Sequence, residues 1–319
     1  MKRLLDVPSW QAGRVRLADF AELLAVQAAD HGVSTQDIIE TLSRLGDEDE
    51  AIYEQPVLDA FEELSQRALH AGAGASRYPY EVVGDELRLR FPTGRSDESL
   101  LYLFLLLATK GNMLHEKVQA GLDGTALFEH LCLEIASRYW GGHNDARVRA
   151  MVFGTARAAW RENDAEQVPE TSFAAAVNNL CSALGEGVQF RKKDSGPIRS
   201  KDDRIDIVVW RQFADRRAGS LIGFGQCKTG TSWEHELPRL NPKSFCDRWF
   251  DIPPVHLPVK LFFLTDRVAE NWTTRSYDAG ILFDRCRILE YAHNLPPALL
   301  RDCGRWARAL LRSYGLTLP

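Results

Sequence analysis

Two apolar runs, residues 205–210 and 221–228, flank a short charged segment at 214–219. Both are rich in the β-branched and aromatic residues that suit a pleated strand. The charged segment reads as a tight turn, which makes the pair an antiparallel hairpin. Side chains alternate along a strand. In Gln226-Cys227-Lys228 the two polar groups therefore share one face, and Cys227 takes the other. Asp206 stands at the head of the first run, so in-register pairing carries it close to Gln226 and Lys228.

These residue types suit phosphodiester hydrolysis. A magnesium ion prefers hard oxygen ligands, which the Asp206 carboxylate and the Gln226 amide oxygen supply. A bound metal polarises a phosphoryl oxygen and lowers the pKa of its water. Lys228 is suited to orient that water and to offset charge developing on the phosphate. A lone lysine at a strand end is ordinarily solvated or ion-paired. Its position beside Gln226, one hairpin from Asp206, is what singles it out.

The rest of the chain divides by character. Residues 15–30, 35–45 and 51–71 carry apolar residues at helical spacing, and Ser34 is a candidate N-cap for the second. Two β-rich runs flank Gly84-Asp85 and predict a hairpin. Residues 99–109 are apolar enough for a buried helix, and 124–140 form a further strong helix. After residue 170 the pattern predicts a helix at 171–184, closed by Gly185, and a short strand at 188–191. The hairpin follows, then a helical turn at 233–237, strands at 259–265 and 280–284, and a C-terminal helix at 296–314. The expected fold class is α/β, with a mixed sheet. The expected domains are a helical N-terminal region with a β-hairpin (1–123) and an α/β domain (124–319).

The segment Asp202-Asp203-Arg204-Ile205-Asp206-Ile207-Val208-Val209, the spacer, and Gly225-Gln226-Cys227-Lys228 together resemble the PD-(D/E)XK superfamily. Within it they are most similar to the Mrr-like restriction endonucleases, which carry Gln two residues before the lysine. The resemblance covers roughly residues 173–290 and implies a restriction-endonuclease-like core. It implies a metal-dependent endonuclease using Mg²⁺ or Mn²⁺, acting on DNA in prokaryotic restriction or anti-phage defence. A partner ATPase or helicase, another defence subunit, or a second copy of the chain fits that context. The family's first helix often supplies a glutamate directly after its Phe, but here Phe173 is followed by Ala174. Glu170 lies a turn earlier, and Phe128-Glu129 on the preceding helix has the expected pair. Glu129 is accordingly expected to complete the metal shell; its plain alternative is a solvent-facing helix residue. Gln226 in place of an acid keeps a second expectation open, a catalytically inactive nuclease fold that binds DNA or a partner protein.

Charge is consistent with a polyanion partner for the back half only. From residue 186 onward there are 22 Lys/Arg against 16 Asp/Glu, and before it 17 against 28, within a net charge of −5. The basic residues Arg191, Lys192, Lys193, Arg199, Lys201 and Arg204 precede the Asp206 strand and suit phosphate contact, or equally a solvated loop. Trp233 suits packing better than stacking on a base. Arg301, Arg305, Arg308 and Arg312 read as the polar face of the last helix. Asp202 and Asp203 suit turn positions, and Asp215 a solvated one. The six cysteines form no CxxC pair and no zinc-type cluster, so they are expected as buried free thiols. The longest apolar run, 100–108, is far short of the roughly 20 residues of a membrane span. With no apolar leader after Met1, a cytoplasmic location is expected. No Walker-type loop, nucleophile elbow or HExxH is present.

Overall fold

The computed structural model describes residues 7–70, 77–91, 96–111, 113–153, 172–193 and 203–318. In chain order the elements begin with Arg14–Gln27 (α1), Gly32–Ser34 (β1), Thr35–Gly46 (α2), Glu54–His70 (α3), Tyr80–Val83 (β2), Glu86–Leu89 (β3), Ser96–Lys110 (α4), Val118–Gln119 (β4), Leu122–Asp123 (β5) and Gly124–Tyr139 (α5). They continue with Val148–Val152 (β6), Phe173–Leu184 (α6), Ile207–Arg211 (β7), Leu221–Lys228 (β8), Pro242–Trp249 (α7), Val259–Leu264 (β9), Trp272–Ala279 (α8), Ile281–Phe283 (β10), Arg285–Glu290 (α9) and Pro297–Ser313 (α10). The protein is thus mixed α/β. No helix among the described residues is long and apolar enough to cross a membrane.

By packing, the chain forms two compact units. The first comprises Met1–Ala120, Thr265–Glu270 and Asp284–Pro319; the second comprises Gly121–Leu264 and Asn271–Phe283. The break after Ala120 lies close to the expected one. The C-terminal part does not follow the expected single span 124–319, because α9 and α10 group with the first unit. The reason is a set of buried contacts between residues far apart in sequence.

In the first unit, Ser34 caps α2. Its Oγ accepts from the Asp37 N–H at 3.1 Å, and its own N–H donates to Asp37 Oδ2 at 2.8 Å, a reciprocal capping box. Strands β1, β3 and β2 form an antiparallel sheet, and the β2–β3 turn passes through Gly84 at φ 63°, a conformation that favours glycine. Helix α4 is buried from Leu100 to Ala108, as its composition predicts. Its Phe104 meets Trp306 of α10 edge-on at 5.3 Å. The four arginines of α10 are exposed and its apolar residues buried, the amphipathic arrangement expected.

At the centre of this unit lies a charge network. Arg67 donates to Asp19 Oδ1 at 2.8 Å, to Glu22 Oε2 at 2.9 Å and to Glu63 Oε1 at 3.1 Å. Arg285 donates to Asp19 Oδ1 at 2.9 Å, and Tyr102 donates to Glu22 Oε1 at 2.6 Å. Burial alone would raise the Asp19 carboxyl; the Arg285, Lys110 and Arg67 charges overcome it and hold the group well below the usual carboxylate range. For Glu22 burial wins, and its pKa is raised despite Arg67 and Arg285. These ion pairs tie α9 to α1 and α3, which explains the grouping of the C-terminal part.

The second unit is built on a five-stranded sheet of order β10-β9-β8-β7-β6. Strands β6, β7 and β8 are mutually antiparallel, while β9 runs parallel to β8 and β10 parallel to β9. The expected hairpin is present, with Ile207 opposite Gly225 and Arg211 opposite Leu221. One face of the sheet packs against α6 and α7 through Phe173, Leu180, Phe245, Val208, Trp210, Ile222 and Phe224. On the other face β8 is closely covered: a Cβ on Gly225 would stand 2.6 Å from Ile207 Cγ1 of β7, and one on Gly223 about 3.1 Å from the ring of Trp140, the residue after α5.

The strand expected at 188–191 is not part of this sheet. Gly187 and Val188 both have left-handed backbone, φ 89° and 62°, so the chain cannot run extended there. Phe190 makes only an isolated bridge to Phe250, and its N–H donates to Asn178 Oδ1 at 2.7 Å. The place beside β7 is taken by β6, a strand the sequence pattern did not reveal. The helix immediately ahead of the antiparallel strands is therefore α5, which carries Phe128-Glu129, rather than α6, which opens on Phe173.

Replacing Arg67 with Met strands Asp19 and Glu22 in the interior with one cation fewer. Chemical denaturation should report a loss of about 3–5 kcal/mol; a loss under about 1 kcal/mol would show the network to be dispensable.

Candidate active site

Asp206 stands one residue ahead of β7, where the ladder with β8 is about to end. Its N–H donates to Gly225 O at 2.9 Å, and its carbonyl accepts from Phe153 N–H at 2.8 Å, so its backbone is fixed from both sides. Beyond this point β8 continues while β7 does not. The Asp206 side chain takes over the pairing: its Oδ2 accepts from the Cys227 N–H at 2.6 Å. The carboxylate is thereby bound to the middle residue of Gln226-Cys227-Lys228. The β7–β8 ladder itself ends at Ile207 opposite Gly225, one residue short of Gln226.

Gln226 is 1% exposed, and neither its Oε1 nor its Nε2 has a hydrogen-bond partner. A buried amide left unpaired costs about 1–3 kcal/mol and calls for an explanation. Lys228, two residues on, is 30% exposed at the side chain, and its Nζ lies 3.8 Å from Glu236 Oε2. The intervening Cys227 points toward α5, where its thiol hydrogen-bonds that of Cys132. Burial pushes both thiols up. The negative charges of Asp206 and Glu129 push them further in the same direction, so Glu129 on α5 and Asp206 ahead of β7 act on one pair of thiols. All six cysteines are free, five of them fully buried.

The approach to Asp206 is strained. Asp203 and Arg204 are consecutive left-handed residues, φ 49° and 74°, and each such non-glycine residue costs on the order of 1–3 kcal/mol. Asp203 is held to α7, where its Oδ2 accepts from Trp249 Nε1 at 2.6 Å and pairs with Arg248 at 2.7 Å. It is a turn residue, as its type suggests. Asp202, Glu170, Arg199 and Lys201 lie outside the described residues. Arg191, Lys192 and Lys193 are exposed, with Arg191 paired to Asp251 at 2.9 Å. Trp233 is packed at 3% exposure under the Arg275 guanidinium, 5.2 Å from the ring centroid.

One residue at this end of the sheet escaped the sequence reading. Glu236, in the short helical turn Glu234–Glu236 after β8, is 7% exposed. It receives Arg204 Nη1 at 3.1 Å, Arg239 Nη1 at 2.5 Å and His235 Nε2 at 3.1 Å, besides its approach to Lys228. The available signal was an acid at fixed distance from Lys228 amid several basic residues.

No group of three or more His, Cys, Asp or Glu residues among the described residues is placed to hold a metal ion. The oxygen donors at this end of the hairpin are the Asp206 carboxylate, held by the Cys227 N–H, and the unpartnered Gln226 amide one residue earlier on β8. An orphaned amide oxygen is of the type that a hard divalent cation accepts as a ligand. No protein-family model matches the chain, and no curated protein or solved structure matches it.

If the Gln226 amide is held unpaired for function, an apolar side chain of similar shape should stabilise the fold. Gln226→Met is expected to raise unfolding stability in urea by about 1–3 kcal/mol. A comparable loss would show that the amide serves the fold instead.

Proposed function

We propose that the second unit is a PD-(D/E)XK-like nuclease domain and that the protein is a metal-dependent endonuclease acting on DNA. The observation that carries this reading is the unpaired, buried Gln226 amide, one residue before Cys227, whose N–H holds the Asp206 carboxylate, and two before Lys228. The sheet supports it: after α5 come three mutually antiparallel strands, β6, β7 and β8, with α6 inserted between β6 and β7, then α7 and β9, which runs parallel to β8. The resemblance of residues 202–209 and 225–228 to Mrr-like enzymes is what names the family in this reading.

In this reading Asp206 and Gln226 would hold Mg²⁺ or Mn²⁺, while Glu129 on α5 lies with Cys132 and Cys227 on the other face of the sheet from the Gln226 side chain. A bound ion would supply an activated water and polarise the phosphoryl oxygen. The bond from Asp206 to the Cys227 N–H fixes the carboxylate against β8, so the ligand oxygens are set before substrate arrives. Gln226 contributes no charge, which leaves the site less negative than a two-carboxylate pair and eases approach of a phosphodiester. Lys228, partly exposed and turned to Glu236, orients the water and offsets charge growing on the phosphate. Hydrolysis breaks one P–O bond, leaving a phosphate on one end and a hydroxyl on the other. A role in restriction or anti-phage defence, with a delivering ATPase, helicase or other subunit, is proposed from the resemblance alone.

Purified protein should nick or linearise plasmid DNA with Mg²⁺ or Mn²⁺ and not with EDTA. Lys228→Ala and Asp206→Asn should each lower the rate at least about a hundredfold, the lower end of the loss for a group stabilising transition-state charge, with unchanged circular dichroism. Cleavage at the parent rate in Lys228→Ala would sink the assignment. DNA binding with no cleavage under any metal would favour a binding module built on the same fold.

A further inference from the structure

We propose that Arg204 and Arg239, gathered by Glu236, form a clamp for a backbone phosphate of the nucleic acid beside the site of cutting. The inference rests on the nuclease reading for the identity of its ligand. Glu236 is a single carboxylate at 7% exposure, yet Arg204, Arg239 and Lys228 all converge on it, with His235 as a fourth neighbour. Three basic side chains thus gather at one carboxylate. The carboxylate is inside, but the Arg204 and Arg239 side chains are 46% and 44% exposed. Each is anchored on its inner side by one Nη1 bond to Glu236. The outward part of a guanidinium held this way meets an incoming phosphate at little further entropic cost.

The local backbone argues for the same purpose. Arg204 is held at φ 74° directly after Asp203 at φ 49°, and Asp203 is pinned to Trp249 and Arg248. A strained pair of residues between a fixed anchor and Asp206 is the kind of expense found where a side chain must be aimed. Arg204 precedes the metal-site carboxylate by two residues, and Lys228 belongs both to the site and to the Glu236 cluster. A phosphate gripped by Arg204 and Arg239 therefore sits next to the one to be cut. Glu236 makes no contact with substrate in this arrangement; it is a positioning residue.

The test is equilibrium binding of fluorescent 20-base-pair duplexes, one DNA and one RNA of equal sequence, to the full chain in EDTA, so that no cutting intervenes. Binding is followed against salt concentration. Arg204→Gln/Arg239→Gln should weaken binding about tenfold or more. It should also lower the slope of log K against log salt by about 0.9, the value for one phosphate no longer neutralised. The loss should be the same for unrelated sequences. Arg239→Lys, which keeps the charge, should retain most of the affinity and serves as the folding control. Arg216→Gln/Arg217→Gln, in the turn at the far end of the hairpin, should leave affinity unchanged. Loss on DNA alone or on both polymers supports the clamp; loss on RNA alone keeps the clamp but makes RNA the source of its phosphate. An unchanged affinity and slope in the Arg204/Arg239 variant would overturn it, as would failure of the parent protein to bind either duplex at about 50 mM salt. The nuclease reading stands or falls separately, on metal-dependent cleavage by the parent protein.

Discussion

The bond from the Cys227 N–H to Asp206 Oδ2, 2.6 Å long, joins the fold to the candidate site. It exists because β7 begins at Ile207 while β8 runs on to Lys228, leaving the Cys227 N–H without a strand partner on that side. A carboxylate placed one residue ahead of β7 fills that gap. The same bond holds the Asp206 carboxylate against the residue that follows Gln226, while the Cys227 thiol meets Cys132 on α5. A register shift of one residue would turn the Gln226 and Lys228 side chains to the other face and place Cys227 where Gln226 stands. The close approach of Ile207 to the Cα of Gly225 guards against this, since a side chain there would collide with it.

Around this bond, the second unit spends stability on an arrangement that packing alone does not need. Gln226 gives up both hydrogen bonds of its amide, Asp203 and Arg204 adopt left-handed backbone, and three cations crowd one carboxylate. Each departs from what a purely structural sequence would choose, and all lie at one end of β7 and β8. Departures of this sort concentrate where a protein acts. The first unit answers buried charge differently. There Asp19, Glu22 and Glu63 are matched by Arg67 and Arg285 through short hydrogen bonds, an assembly with partners on every side.

Much of this was legible in the sequence where the signal is local. The 205–210 and 221–228 runs with their charged turn are a hairpin, Ser34 caps α2, Gly185 closes α6 in the left-handed conformation, and 100–108 is buried. Mixed α/β architecture followed from the order of these elements. Strand β6 was missed because Val148-Arg149-Ala150-Met151-Val152 is short and its burial does not alternate cleanly. The run at 188–191 misled for the opposite reason: its composition suits a strand, but Gly187 and Val188 turn the backbone out of the extended region. The grouping of α9 and α10 with the N-terminal helices depends on Arg285 meeting Asp19, a pairing 266 residues apart that no local pattern encodes. The types and spacing of Asp206, Gln226 and Lys228 were visible, but the isolation of the Gln226 amide and the convergence on Glu236 belong to the folded chain.

The central claim is that Asp206 and Gln226 hold a divalent metal ion. Its most direct test is anomalous diffraction from crystals of the full chain soaked in Mn²⁺, collected for the parent protein and for Asp206→Asn. The account predicts one manganese peak within bonding distance of the Asp206 carboxylate and the Gln226 Oε1, absent in the variant. Ordered Asp206 and Gln226 side chains with no peak between them, or a peak that survives in Asp206→Asn, would contradict it.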